Sequence, residues 1–252
     1  MSEHQVFLRN LSKKQNGGTI RSTKKLKIVI SIGGSLLTRE LTAENFKKYA
    51  DVVLKLWKQG HKLVVVCGGG EVCREYRDIG RALTKDRNIL DFIGIMATHI
   101  NAVTFAAALG NYGHLVKWKE LKDANKEVKK YFGKKIVVGA GYDVGTSSDF
   151  DAAIFAAVVK ADLLINATNV DGVYTADPKK NPNAKKLKKL THSEFEKIIL
   201  NNPQLPGEYR LFDLPATKLI KKIKLKTIFI DGNDPKEILR AVEGKHNGSV
   251  IF

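Results

Sequence analysis

Short apolar runs alternate along this chain with stretches whose apolar positions recur at helical spacing. Residues 26 to 32 form a β-branched run that ends at Gly33-Gly34-Ser35, which reads as a buried strand entering a glycine turn. From 42 to 59, Phe46, Tyr49, Ala50, Val53, Leu56 and Trp57 lie on one helical face, with Thr42 as N-cap and Gly60 as the C′ stop. Residues 62 to 66 are a second apolar strand, closed by Gly68-Gly69-Gly70 and followed by a helical stretch to about 83. The alternation continues with a long helix over 89 to 109, a short strand near 115 to 117, a polar helix over 121 to 131 and a strand at 135 to 138. After Gly139-Ala140-Gly141 come an Ala-rich helix over 149 to 159 and the apolar strand 162 to 167. The chain finishes with periodic segments at 187 to 200 and 214 to 222, a strand at 226 to 230, and segments at 235 to 242 and 249 to 252. Apolar strands alternating with amphipathic helices predict a three-layer α/β fold with a mostly parallel sheet covered on both faces.

In such sheets ligands bind beyond the carboxyl ends of the strands. Here three of those ends carry glycine clusters, at 33 to 34, 68 to 70 and 139 to 141. Backbone N–H groups in glycine turns form anion nests, and the following helix aims its positive end at the same spot, so one edge is suited to several phosphates. The chain has no G-x-x-x-x-G-K-[ST] loop, and the 139 to 145 segment misses the dinucleotide G-x-G-x-x-G pattern by one residue. Cys67 and Cys73 lack zinc-ligand spacing and read as small apolar fillers, and no metal-ligand set is assigned.

Composition adds a question of charge. The 252 residues include 43 basic and 26 acidic side chains, a net +17, but with 43% apolar residues this is a globular chain and not a basic tail. No stretch approaches the ~18 to 20 uncharged apolar residues of a membrane span, and no signal-type apolar region opens the chain, so a reduced, cytoplasmic protein is expected. Residues 1 to 27 hold a net +6 and residues 179 to 226 a net +9, so nearly all the excess sits in two segments. A basic segment can neutralise nucleic-acid phosphates. This one has few aromatics (Phe195, Tyr209 and Phe212) and no recognised RNA module, so nucleic acid is not expected as the primary partner.

Val29-Ile-Ser-Ile-Gly33-Gly34-Ser35-Leu36, Cys67-Gly68-Gly69-Gly70 with Arg74 four residues on, and the segment Ala167-Thr-Asn-Val-Asp-Gly-Val-Tyr-Thr-Ala-Asp-Pro178 resemble the amino-acid kinase family, and within it the UMP kinases of archaeal and bacterial type. The resemblance covers roughly residues 26 to 252 and leaves a basic extension, 1 to 25, unmatched. It implies one αβα-sandwich domain with an acceptor half and an ATP half, phosphotransfer from ATP with Mg2+ to UMP, and a homo-oligomer, a hexamer built from dimers. By the same resemblance Gly33, Gly34 and Ser35 face the ATP phosphates. Gly69, Gly70 and Arg74 take the acceptor phosphate, Asp91 reads its ribose, and Thr146, Ser147 and Ser148 supply hydroxyls. Thr168, Asn169, Tyr174 and Asp177 attend the adenosine side, and Asp149 lies near the catalytic centre, orienting a lysine or helping to hold magnesium. Asp151 is read as capping the same helix.

One departure matters. Many family members carry a lysine two residues before the first glycine, and here Ser31 stands there. Lys218, where several branches place a second active-site lysine, is therefore assigned the neutralising role. Ser31 also keeps open an alternative in which the same cavity stores oxoanions or senses nucleotides without catalysis.

Overall fold

A computed structural model describes residues 24 to 178, 180 to 201 and 211 to 252. The extension expected at 1 to 25 lies outside these residues up to position 23, as do Lys179 and Tyr209. In chain order the elements are β1 (Lys27–Ile32), α1 (Gly34–Thr38), α2 (Ala43–Lys58), β2 (Lys62–Cys67), α3 (Gly70–Leu83), α4 (Arg87–Leu109), β3 (Gly113–Leu115), α5 (Leu121–Tyr131), β4 (Ile136–Gly139), α6 (Ser148–Val159), β5 (Leu163–Thr168), β6 (Val173–Tyr174), β7 (Lys186–Leu187), β8 (Lys189–Leu190), α7 (His192–Asn201), α8 (Leu214–Lys222), β9 (Thr227–Asp231), α9 (Lys236–Glu243) and β10 (Ser249–Ile251).

Among the described residues eight strands form one sheet in the order β3-β4-β2-β1-β5-β9-β10-β8, within which only the β9–β10 pair is antiparallel, and β6 and β7 form a separate antiparallel pair. Alternation along β1 decides the layers. Ile28, Ile30 and Ile32 pack on one face with α2, α4 and α9 through Phe46, Val53, Phe105 and Ile238. Val29 faces the other layer, where Ala152, Phe155, Phe195 and Ile220 of α6, α7 and α8 pack. The strict period of two in a buried strand thus sends Ser31 to the α6 side.

The predicted helices at 121 to 131 and 214 to 222 match, and Thr42 caps α2 by accepting from the Asn45 N–H at 3.2 Å. The segment at 187 to 200 is divided: its head enters β7 and β8, and the helix starts at His192. Two-residue strands have too few positions for periodicity to register, which also hid β6. The membrane expectation needs correction. Arg87–Tyr112 is long and apolar enough to cross a membrane by length and composition, yet half of it is buried, with Ala102, Phe105 and Leu109 in the core.

Gly34 and the 68 to 70 turn touch backbone to backbone. A Cβ on Gly34 would lie 2.0 Å from the Gly70 nitrogen, and one on Gly70, whose φ is +67°, would lie 2.5 Å from the Gly34 carbonyl. Gly34→Ala should therefore cost at least ~3 kcal/mol of unfolding free energy through forced separation of the two turns. Gly244→Ala, at a left-handed φ of +72° in open space, should cost only about 1 kcal/mol. Urea unfolding of both variants checks this, and equal losses would mean the turns separate freely.

Candidate active site

Because β1, β2, β4 and β5 are parallel, their carboxyl ends reach the same edge. The Gly33 N–H donates to the Ala167 carbonyl and the Gly68 N–H to the Ile32 carbonyl, both at 2.9 Å, so the turns of β1, β2 and β5 are stitched together. Asn101 of α4 donates to the Gly68 carbonyl at 2.7 Å and the Gly69 carbonyl at 3.1 Å. Thr98, one turn earlier, accepts from the Gly141 N–H at 2.9 Å. One helix thus holds the second and third glycine turns. His99 beside it contacts the Gly141 carbonyl at 2.9 Å, and burial holds its pKa below the usual histidine value despite that carbonyl.

At the centre stands Asp149, in the first turn of α6. Its Oδ1 accepts from the Ser31 hydroxyl at 3.1 Å and from the Asn166 amide at 2.8 Å. Ser31 and Asn166 are register partners on β1 and β5, so two polar side chains side by side in otherwise apolar strands orient one carboxylate. Ser31 is thereby a positioning group for Asp149, a neutral donor where a lysine would place a charge. Asn166 was not anticipated, although a lone amide inside the apolar run Leu163–Thr168 was the available signal.

The other expected residues divide into those that face the cleft and those that brace it. Gly33, Ser35, Gly69 and Gly70 are partly exposed, whereas Gly34 is buried, with its α-carbon turned to Gly68 and Gly70. Arg74 is exposed and pairs with Glu71 at 3.2 Å. Asp91 is occupied on both oxygens, by Arg77 at 3.2 Å and by the Gly145 N–H at 3.0 Å, and so ties α3 and α4 to the loop before α6. Thr146 donates to the Asp143 carbonyl at 2.7 Å, and Ser148 opens α6 at partial exposure. Ser147 caps α6 by accepting from the Phe150 N–H at 3.2 Å and also bonds to Asp213, itself the cap of α8. Both N-termini are joined through this pair, which leaves the Ser147 hydroxyl committed to the scaffold.

On the other side of β1, Thr168 and Asp177 are partly exposed and Asn169 is exposed. Tyr174 donates to Asp171 at 2.7 Å, a bond that holds its phenol up to about 12, and Lys186 reaches the second Asp171 oxygen at 2.9 Å. Lys218 is exposed on α8 with its charge felt at Glu196.

Asp151 departs from the capping role expected of it, since Ser147 is the cap. It is fully buried, and among the described residues neither carboxyl oxygen has a hydrogen-bond partner. Burial pushes its pKa up to about 8; the nearby Tyr142 backbone amide offsets part of this, and Asp143 and Asp213 add to it.

Comparison with known proteins follows the same outline. The model of the amino acid kinase family matches residues 27–231. A uridylate kinase from Methanococcus vannielii is 42% identical over 227 residues, which are 89% of this chain and 99% of that protein. A uridylate kinase from Thermococcus kodakarensis is 35% identical over 90% of this chain and 99% of its own length. The crystal structure of uridylate kinase from Archaeoglobus fulgidus aligns with a TM-score of 0.78 at 36% identity, covering 90% of this chain and 100% of that one. A UMP kinase structure from Bacillus anthracis, at 21% identity and a TM-score of 0.76, shares the fold.

The buried Asp151 predicts a particular pH dependence. Its folded pKa, about 8, exceeds the value of 3.8 it has when free, so between those limits the unfolded chain holds fewer protons. Stability therefore falls as pH rises, by up to ~1.4 kcal/mol per unit. Asp151→Asn removes this slope. Urea unfolding at pH 5, 6 and 7 should show the variant gaining on the parent by about 1 kcal/mol per pH unit; a constant gap would show that Asp151 is ionised in the fold.

Proposed function

The chain belongs to the amino acid kinase family, and from that premise we propose that it is a nucleoside monophosphate kinase transferring the γ-phosphoryl group of ATP to UMP. The observation that carries the reading is the convergence of three glycine turns around Asp149 at one sheet edge. Phosphoryl transfer asks a protein mainly to align two phosphate-bearing molecules and to neutralise moving charge, and this edge offers amides, helix N-termini and few other functions.

An oxygen of the UMP phosphate bonds to the γ-phosphorus as the bond to the β–γ bridging oxygen breaks, giving UDP and ADP. A phosphate monoester is largely dianionic at neutral pH, its second pKa being near 6, so the attack requires no general base. Gly33 and the amide of Ser35 face the ATP phosphates, and Thr168, Asn169, Tyr174 and Asp177 the adenosine. Gly69, Gly70 and Arg74 take the acceptor phosphate, with Asp91, Thr146 and Ser148 framing the nucleoside. Arg74 exchanges an exposed Glu71 for a phosphate, a stronger bidentate partner. Gly34 contributes by holding the two turns at contact distance, and Lys218 is the cation assigned to the transferring group.

Magnesium fits as a companion of ATP. Among the described residues no group of three or more His, Cys, Asp or Glu side chains gathers as a cage, and this ion is commonly held by one or two carboxylates with phosphates and water. Asp149 is the carboxylate at the edge suited to hold it, and the ion would supply neutralisation of phosphate charge. A homo-oligomer, a hexamer in the family's manner, and a cytoplasmic location accompany this reading. Tyr76, Ile79 and Leu83 of α3, with Ile100 and Val103 of α4, are exposed apolar side chains available for contact between copies.

With Mg-ATP the protein should release ADP in the presence of UMP and not of isopentenyl phosphate or N-acetylglutamate, with CMP and GMP ranking the base. No turnover with any nucleoside monophosphate would overturn the proposal. Asp149→Asn should lower kcat by ~100-fold or more, and Lys218→Ala should lower kcat more than it changes the UMP KM. Arg74→Ala should chiefly raise that KM, by about tenfold. Circular dichroism of each variant separates these effects from unfolding.

A further inference from the structure

Two non-glycine residues among those described adopt a left-handed backbone, and both are lysines: Lys160 at φ 51° and Lys224 at φ 50°. Lys160 ends α6 and Lys224 follows the end of α8, and the two helices close alike. The Lys160 N–H donates to the Ala157 carbonyl at 3.2 Å and the Ala161 N–H to Ala156 at 2.8 Å; the Lys224 N–H donates to Lys221 at 3.2 Å and the Leu225 N–H to Ile220 at 2.9 Å. Glycine or asparagine ordinarily fills such a position, since a longer side chain there costs roughly 1 kcal/mol. A lysine needed only to answer the helix dipole can do so from the last helical turn without that strain.

Both strained lysines line one cleft of about 380 Å3, together with Lys226, Asp162 and an apolar floor that includes Ala157, Ile223 and Leu225. Lys160, Lys224 and Lys226 are exposed, and none has an ion-pair partner among the described residues. The one carboxylate in the lining, Asp162, accepts from the Lys27 backbone N–H at 2.8 Å, and its single charge against three lysines leaves the lining net positive over low-dielectric walls. It offers ammonium point charges with neither an arginine fork for a planar carboxylate nor an aromatic ring for a base. Repeated phosphate charge is the chemistry that matches.

The cleft opens at the amino edge of the sheet, where β5 and β9 begin, and three residue steps along β5, about 10 Å, separate the start of that strand at Leu163 from Asn166. We propose that this cleft is a second anion site that binds an oligophosphate chain. Its place in the fold gives it a route to the chemistry. A chain bridging Lys160 and Lys224 ties together the far ends of α6 and α8, which carry Asp149 in the first turn and Lys218 at mid-helix and whose near ends are already joined through Ser147 and Asp213. Binding itself does not depend on the kinase reading.

Hydrogen–deuterium exchange on the full chain tests it, with inorganic tripolyphosphate and a nucleoside triphosphate as separate probes. The comparison protein is Lys160→Asn/Lys224→Asn, which keeps residues tolerant of the left-handed caps while removing both charges. Tripolyphosphate should slow exchange in peptides over 156 to 163 and 221 to 227, and the double variant should need at least tenfold more probe for the same protection. Peptides around Gly33 and Gly69 should respond equally in both proteins. Equal half-saturation by the two probes would show that the phosphate chain alone is read. Protection by the nucleoside triphosphate alone, by neither probe, or unchanged in the double variant would overturn the proposal.

Discussion

The contact on which this molecule turns is the one between two backbones, where Gly34 meets Gly68 and Gly70 with no room for a Cβ. It closes the gap between the β1 and β2 turns and makes one site from two loops. Neighbouring side chains are spent on keeping it closed. Thr38 donates to the Gly34 carbonyl at 3.1 Å and accepts from the Glu71 N–H at 2.9 Å, while Asn45 donates to the Leu36 and Leu37 carbonyls. Such bonds satisfy backbone groups that a tight, buried turn would otherwise leave without partners. Alignment of donor and acceptor is the larger part of phosphoryl transfer, so a rigid junction at this place is what the chemistry requires.

Around the junction, polar side chains act in sets. Ser31 and Asn166 aim Asp149, Arg77 and Asp91 anchor the loop before α6, and Ser147 with Asp213 joins two helix starts. Each set is partly buried, where a hydrogen bond orients its members more firmly than in water and a missing partner costs more. Asp151 is the exception, a fully buried carboxyl two residues from Asp149 with no hydrogen-bond partner among the described residues. Its proton is the means by which the fold tolerates it, since a neutral acid is far less costly to bury than a carboxylate.

Charge is arranged on a coarser scale. The net +17 is concentrated along the sequence in the first 27 residues and in 179 to 226, outside the three glycine clusters. Within the latter stretch some lysines are paired, as Lys186 is with Asp171 and Lys221 with Glu196, whereas Lys224 and Lys226 crowd a cleft at the opposite edge. A positive field of this extent draws anionic nucleotides from beyond contact range and weakens as salt is added.

By itself the sequence determined the layers, the long helices and the edge at which ligands belong, because periodicity, caps and glycine clusters are local signals that burial on two faces of a parallel sheet enforces. The family resemblance rested on strings such as 167 to 178 that local structure alone would not require. What only the tertiary structure decided are relations between distant positions. Ser31 became a support for Asp149 through its register with Asn166, Gly34 turned inward against Gly70, and Ser147 was claimed by Asp213. The two-residue strands β6, β7 and β8 likewise exist only because partners lie beside them. Each of these depends on which segments pack together, and hydrogen bonds or backbone contacts across 35 to more than 100 residues leave no periodic trace in the chain that makes them.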